Sequence, residues 1–197
     1  MKTSRSLCAA LFCLGAFNAH ALPSVGFDQG ALSVDLGDTF ELVLQGSGFD
    51  FTSESKLIDN VTGGQFFDLS YGASVLQLVD VQIASRWIFT SGNKTGVIDN
   101  GAGTLTGLAF GTFPATTDDS FEIATLRFQA IASGPTDVRV TDGALAARVA
   151  GISGSSITPI FDSASVTVAS PVPEPETWPM LIAGLAMLGW RARRASA

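Results

Sequence analysis

The 197-residue chain is predicted to be all-β, with one β-sandwich between two shorter terminal segments. Short runs of alternating apolar and polar residues recur between turns rich in glycine and asparagine. The central segment nowhere repeats its apolar residues at the 3.6-residue period of a helix. The 14 phenylalanines supply the large side chains that a sandwich core needs when disulfides are lacking. Together these observations favour two packed sheets of seven to nine short strands.

The first 21 residues predict a secretory signal peptide that forms a helix ahead of the sandwich. Lys2 and Arg5 give a basic start, an apolar stretch follows, and Ala19-His20-Ala21 is a small-residue cleavage site. Cleavage between Ala21 and Leu22 would produce the mature chain. The alternative is a buried N-terminal helix, which would not need all three features in this order. The Sec translocon and signal peptidase are therefore expected partners.

Removal of the signal peptide restricts the chemistry that remains. It takes away both cysteines and the only histidine, which are Cys8, Cys13 and His20. The mature chain then has no thiolate nucleophile, no histidine base and no disulfide. Zinc, copper and haem sites of the usual kinds are excluded with them. Residues 22–170 carry 16 acidic and 6 basic side chains, a difference of −10, which argues against a nucleic-acid partner.

Residues 22–170 are predicted to form the sandwich. Each proposed strand alternates in polarity and stops at a turn signal, as at Gly37-Asp38 and Gly46-Ser47-Gly48. The proposed strands are Leu32–Leu36, Thr39–Leu44, Gln65–Tyr71, Val75–Ile83, Phe121–Ile131, Asp137–Thr141 and Ser163–Val168.

Residues 171–197 form a segment of a different kind. A proline-rich stretch comes first, and an apolar run of 13 residues at about 178–190 follows it. As a helix this run measures about 20 Å, which is short for a hydrocarbon core of roughly 30 Å. Three arginines close the chain and would hold that end in the cytoplasm by the positive-inside rule.

The order of Pro173-Glu174-Pro175, the apolar run and then Arg191, Arg193 and Arg194 resembles the PEP-CTERM sorting signal of Gram-negative bacteria. The resemblance implies that an exosortase recognises the Pro-Glu-Pro motif, with the arginines as the cytoplasmic stop. The protein would then pass through the inner membrane to the cell envelope or extracellular matrix. Glu176, where a small residue is common, departs from the pattern. An ordinary C-terminal anchor is the alternative.

The central segment is similar to the cohesin-like family. Ala124-Thr125-Leu126-Arg127-Phe128-Gln129-Ala130 matches one strand pattern of that family well, whereas Tyr71-Gly72-Ala73 keeps only the tyrosine of a Tyr-Asp-Pro turn. The resemblance implies a jelly-roll β-sandwich, related in fold to certain carbohydrate-binding modules.

Candidate binding residues are few. Trp87 and Tyr71 could stack on a sugar, although a half-buried Trp87 is the simpler expectation. Asp99, Asn100, Asp118 and Asp119 could supply oxygen ligands to calcium, or could be solvated turn residues, and no other cofactor is expected.

These features predict a non-enzymatic exported protein with an adhesive or structural role in exopolysaccharide or biofilm. One alternative is a carbohydrate-binding module or a cohesin-type protein-binding module. Another is a glycoside hydrolase, which would need two converging carboxylates that no motif marks. The expected ligand is an exopolysaccharide or a protein.

Overall fold

The protein is described by a computed structural model that covers residues 22–51, 58–89, 92–170 and 180–185. Twelve strands are formed within these residues. In chain order they are β1 (Ser24–Phe27), β2 (Ala31–Asp35), β3 (Thr39–Ser47), β4 (Ile58–Ser70), β5 (Leu76–Ile83), β6 (Val97–Asp99), β7 (Thr104–Thr116), β8 (Phe121–Ala130), β9 (Gly134–Val149), β10 (Ile152–Ile157), β11 (Ile160–Phe161) and β12 (Ser163–Ala169).

The strands form two sheets. Five of them make one sheet in the order β11-β1-β3-β8-β5, and the other seven make the second sheet. In the second sheet the order is β2-β12-β9-β4-β7-β6, and β10 also pairs with β9. The 16 residues of β9 accommodate both neighbours, because β12 pairs with the first part of β9 and β10 pairs with the last part.

Aromatic rings fill the core between the sheets. Trp87 lies at the centre of a row, with ring centroids 4.6 Å from Phe110 and 5.7 Å from Phe121. The row continues from Phe121 to Phe49 at 5.0 Å and from Phe110 to Phe67 at 5.6 Å. All five side chains are buried. Burial of each ring stabilises the folded domain by roughly 1.5–3 kcal/mol, because apolar area is removed from water. This row therefore stabilises a domain whose residues 22–170 contain no cysteine to form a disulfide.

The predicted fold class is confirmed, and every predicted strand lies on an observed one. The sequence did not indicate β1, β6, β7, β10 or β11. The longest of these is β7, which contains Gly107, Gly111 and Pro114 and so lacks a regular alternation. Because β7 pairs with both β4 and β6, the hydrogen bonds to these two strands offset the poor strand preference of its glycines and proline.

The terminal segments are described only in part. Residues 180–185 are helical, which agrees with the predicted apolar helix. The signal peptide, the Pro-Glu-Pro motif and the closing arginines lie outside the described residues. In the described part of the chain, no helix has the length and apolar character needed to cross a membrane.

Candidate binding face

The outer face of the seven-stranded sheet is lined by small side chains at its centre. The core sides of β4, β7 and β9 bury Val61, Phe110 and Leu145. Because neighbouring residues of a strand point to opposite faces, the residues beside them point outward. The outward residues at the centre include Thr62, Ala109, Ala115 and Ala146. Because these side chains are small, they leave a groove across the outer face of the sheet.

Two phenylalanines form one wall of this groove. The rings of Phe89 and Phe113 meet edge to face, with centroids 4.7 Å apart and an interplanar angle of 80°. Phe113 is 64% exposed and Phe89 is 37% exposed. Arg148 and Ser153 line the opposite side, and the groove encloses about 640 Å³. The arrangement offers an apolar wall and polar groups to a ligand on the same surface.

The position of Phe89 depends on Gly111. A Cβ atom at residue 111 would lie 2.9 Å from Cδ2 of Phe89, closer than real contacts allow. Glycine thus lets the ring lie directly on the backbone of β7. Asn93 fixes the same loop, because its side-chain amide donates to the Trp87 carbonyl and its oxygen accepts from Gly111 N–H. The aromatic wall is therefore held rigidly on the sheet.

The two rings proposed from the sequence for sugar stacking lie in the core. Trp87 is 3% exposed, and its indole N–H donates to the carbonyl of Glu122. Tyr71 is 6% exposed, packs edge to face on Phe128 and donates its hydroxyl to Asn100. Burial raises the pKa of the Tyr71 hydroxyl. Neither ring has an open face for a sugar, so the exposed phenylalanines are the remaining candidates for stacking. From the sequence most phenylalanines are expected in the core, but strand alternation places one ring of the Phe66-Phe67 pair on the opposite face.

The calcium candidates divide into two groups at opposite ends of β7. Asp99 and Asn100 precede this 13-residue strand, and Asp118 and Asp119 follow it, so the groups are roughly 30–40 Å apart. No single ion can take ligands from both. The described residues contain no group of three or more acidic, histidine or cysteine side chains arranged around a common point.

The same side chains have structural contacts. Asp99 accepts hydrogen bonds from the backbone N–H groups of Gly101 and Ala102, which closes the turn before β7. Asp118 forms an ion pair with Arg86, whose guanidinium holds the pKa of that carboxyl below its usual range. Each of these contacts occupies one oxygen of its carboxylate.

Comparison with known proteins identifies the C-terminal segment and the fold. Residues 171–195 match the PEP-CTERM protein-sorting motif. No curated protein matches the chain.

Several solved cohesin structures share the fold. The seventh ScaB type I cohesin of Pseudobacteroides cellulosolvens is 17% identical with a TM-score of 0.57, and the match covers 78% of this chain and 96% of that one. A cohesin–dockerin complex from Clostridium thermocellum gives 10% identity, a TM-score of 0.57 and coverages of 75% and 99%. A non-cellulosomal cohesin from Archaeoglobus fulgidus is 14% identical with a TM-score of 0.54, and the match covers 81% of this chain and 98% of that one. The chain thus combines a PEP-CTERM sorting motif with a cohesin-like β-sandwich, and both resemblances found in the sequence are confirmed.

Proposed function

We propose that the protein is a non-catalytic adhesive component of the extracellular matrix, held among exopolysaccharide by the open face of its seven-stranded sheet. The PEP-CTERM motif implies processing by an exosortase and export to the cell surface. A protein delivered in this way meets polymers and other matrix proteins outside the cell. Its central domain has the fold of binding modules, and this supports a binding role.

The observation that carries the proposal is the exposed pair of Phe89 and Phe113. Contiguous exposed apolar patches mark interaction sites, whereas single exposed apolar side chains are common on protein surfaces. Here the pair borders a groove rather than a flat surface, and its position is fixed by Gly111 and Asn93. A ligand that covered both rings would remove their apolar area from water.

A cohesin-type protein-binding role is the second candidate. One matched structure is a complex of a cohesin with a dockerin, although it is only 10% identical to this chain. The groove would also accept an apolar segment of a partner protein. A hydrolase finds less support, because no sequence motif marks a pair of catalytic carboxylates.

Retention in the matrix tests the proposal. Phe113→Ala would be produced in the native host beside the wild-type protein, and the fraction released from the matrix by a mild wash would be measured. We expect the variant to be released more readily, because the groove loses its most exposed ring. Val79→Ala removes an exposed side chain from the other sheet and should be retained like the wild type. Equal retention of all three proteins would contradict a role for this face.

A host strain that lacks exopolysaccharide separates the two candidate functions. Adhesion to the polysaccharide predicts that the wild-type protein is lost to the medium in this strain. Retention that still depends on Phe113 would instead favour a protein partner and the cohesin-type role.

A further inference from the structure

Phe66 adopts a backbone conformation that phenylalanine rarely takes. Its φ is 58°, in the left-handed region, and its side chain is 66% exposed. This region is unfavourable for most residues other than glycine, and asparagine tolerates it better than phenylalanine does. Phe66 therefore has an unfavourable backbone conformation and an exposed ring at the same position.

A β-bulge causes this conformation. Gly64 pairs with Phe110 and Phe67 pairs with Leu108, so two residues of β4 face only one residue of β7. The pairing of β4 with β9 shifts at the same place. Bulges change the direction of a side chain and are frequent beside binding sites. Here the bulge leaves Phe67 in the core and turns its neighbour Phe66 to the outside.

The ring of Phe66 lines a second depression of about 840 Å³ on the same face. Charged side chains surround it, namely Asp68 and Asp142 with Lys94. Asp68 uses one oxygen to accept the N–H of Gly107, and its second oxygen has no hydrogen bond among the described residues. Lys94 has no ion pair within that same part of the chain. The depression thus presents one apolar ring, free acceptors and a free donor.

This combination restricts the class of ligand. The apolar centres of protein interfaces are depleted of charged residues, so three charges around one ring argue against a protein partner. A pyranose unit presents C–H groups to an aromatic ring and hydroxyls to the groups around it. The difference of −10 between basic and acidic residues in the central segment repels anionic polymers. A neutral sugar fits the aromatic ring, forms hydrogen bonds with the charged groups around it, and is not repelled by the negative charge of the domain.

We infer that the Phe66 depression is a binding site for a neutral pyranose unit of a polysaccharide. The C–H face of the sugar lies on the ring, its hydroxyls donate to Asp68 and Asp142, and Lys94 donates to a sugar oxygen. This inference rests on the proposed matrix function and names the class of ligand. It also explains why a phenylalanine stands where asparagine would be more stable.

The test uses the protein in the form in which it is recovered from the extracellular matrix of the native host. Electrophoresis through gels that contain dextran, galactomannan or hydroxyethylcellulose measures affinity for neutral polymers, and gels with alginate measure affinity for an anionic one. We expect retardation by at least one neutral polymer and none by alginate. Phe66→Asn should weaken this binding about tenfold or more, with a melting temperature equal to or above that of the wild type.

Phe66→Gly repeats the test with the other residue that tolerates this backbone conformation. Val79→Ala is the control for the loss of an exposed side chain and should migrate like the wild type. Unchanged binding by both Phe66 variants, or retardation by alginate alone, would overturn the inference. If no polymer retards the wild type while its retention in the matrix still depends on Phe113, the inference fails and the proposed function stands.

Discussion

The side chain of Asn100 closes part of the free edge of the five-stranded sheet. Its oxygen accepts the N–H of Leu78 at 2.8 Å, and its amide donates to the carbonyl of Leu78 at 3.1 Å. The asparagine thus takes the place of a neighbouring strand at the edge strand β5. The same oxygen accepts the Tyr71 hydroxyl at 2.7 Å. Because Asn100 itself lies beside β6 of the other sheet, these bonds also connect the two sheets.

Replacement of Asn100 by alanine tests this role. The change leaves the N–H and carbonyl of buried Leu78 and the hydroxyl of Tyr71 without their partner. We expect the free energy of unfolding to fall by about 2–4 kcal/mol, since each unsatisfied buried group costs about 1–3 kcal/mol. The loss of unfolding free energy is measured by urea denaturation, in which the wild type and the variant should show the same dependence of that free energy on urea concentration. Gln77→Ala, at an exposed position of the same strand, should change stability by no more than about 0.5 kcal/mol. A similar small effect at Asn100 would refute the bridging role.

At the scale of elements, the hairpin of β9 and β10 turns through two residues. Ala150 and Gly151 have φ values of 48° and 80°, as a type I′ turn requires. Gly151 N–H donates to Asp59, and its carbonyl accepts from Arg148. The turn is therefore fixed by β4 and β9, and it holds β10 at the side of the groove opposite the phenylalanine pair.

Ala150 is not the residue that this turn prefers. Asparagine adopts a positive φ more easily than alanine, so Ala150→Asn should stabilise the protein by about 0.5–1 kcal/mol. A rise in melting temperature of a few degrees would be measured by thermal denaturation. Ala150→Val places a β-branched side chain at the same φ and should lower the melting temperature. If both variants shifted it in the same direction, the turn conformation would be a different one.

At the scale of the whole molecule, a cohesin-like domain without cysteine lies between a predicted signal peptide and a PEP-CTERM sorting motif. The domain is held together by its aromatic core, so it needs no oxidative folding step on the way out. The PEP-CTERM motif implies processing of the C-terminal segment by an exosortase.

Intact-mass measurement of the protein from the envelope and the medium checks this organisation. We expect a chain that begins at Leu22 and ends near Pro173–Glu176, because a signal peptidase and an exosortase would each remove one segment. A mass that runs to Ala197 would instead indicate a retained anchor and a membrane-tethered binding domain.

The fold class and the sorting motif follow from the amino-acid sequence alone. Both are local: strand alternation is visible within about seven residues, and the Pro-Glu-Pro segment is recognised by the order of its own residues. The cohesin-like topology followed from the resemblance of those strands. These features needed no knowledge of which residues meet in space.

The exposure of each aromatic ring depends on the three-dimensional packing of the chain. Strand alternation places one ring of the Phe66-Phe67 pair inside and the other outside, and the bulge against β7 and β9 decides that Phe67 is the buried one. Trp87 and Tyr71, the two candidates for sugar stacking, are covered by residues distant in sequence. Pairing between distant strands sets the register, and the register determines which side of the sheet each side chain faces. The candidate binding site therefore depends on contacts that no local pattern encodes.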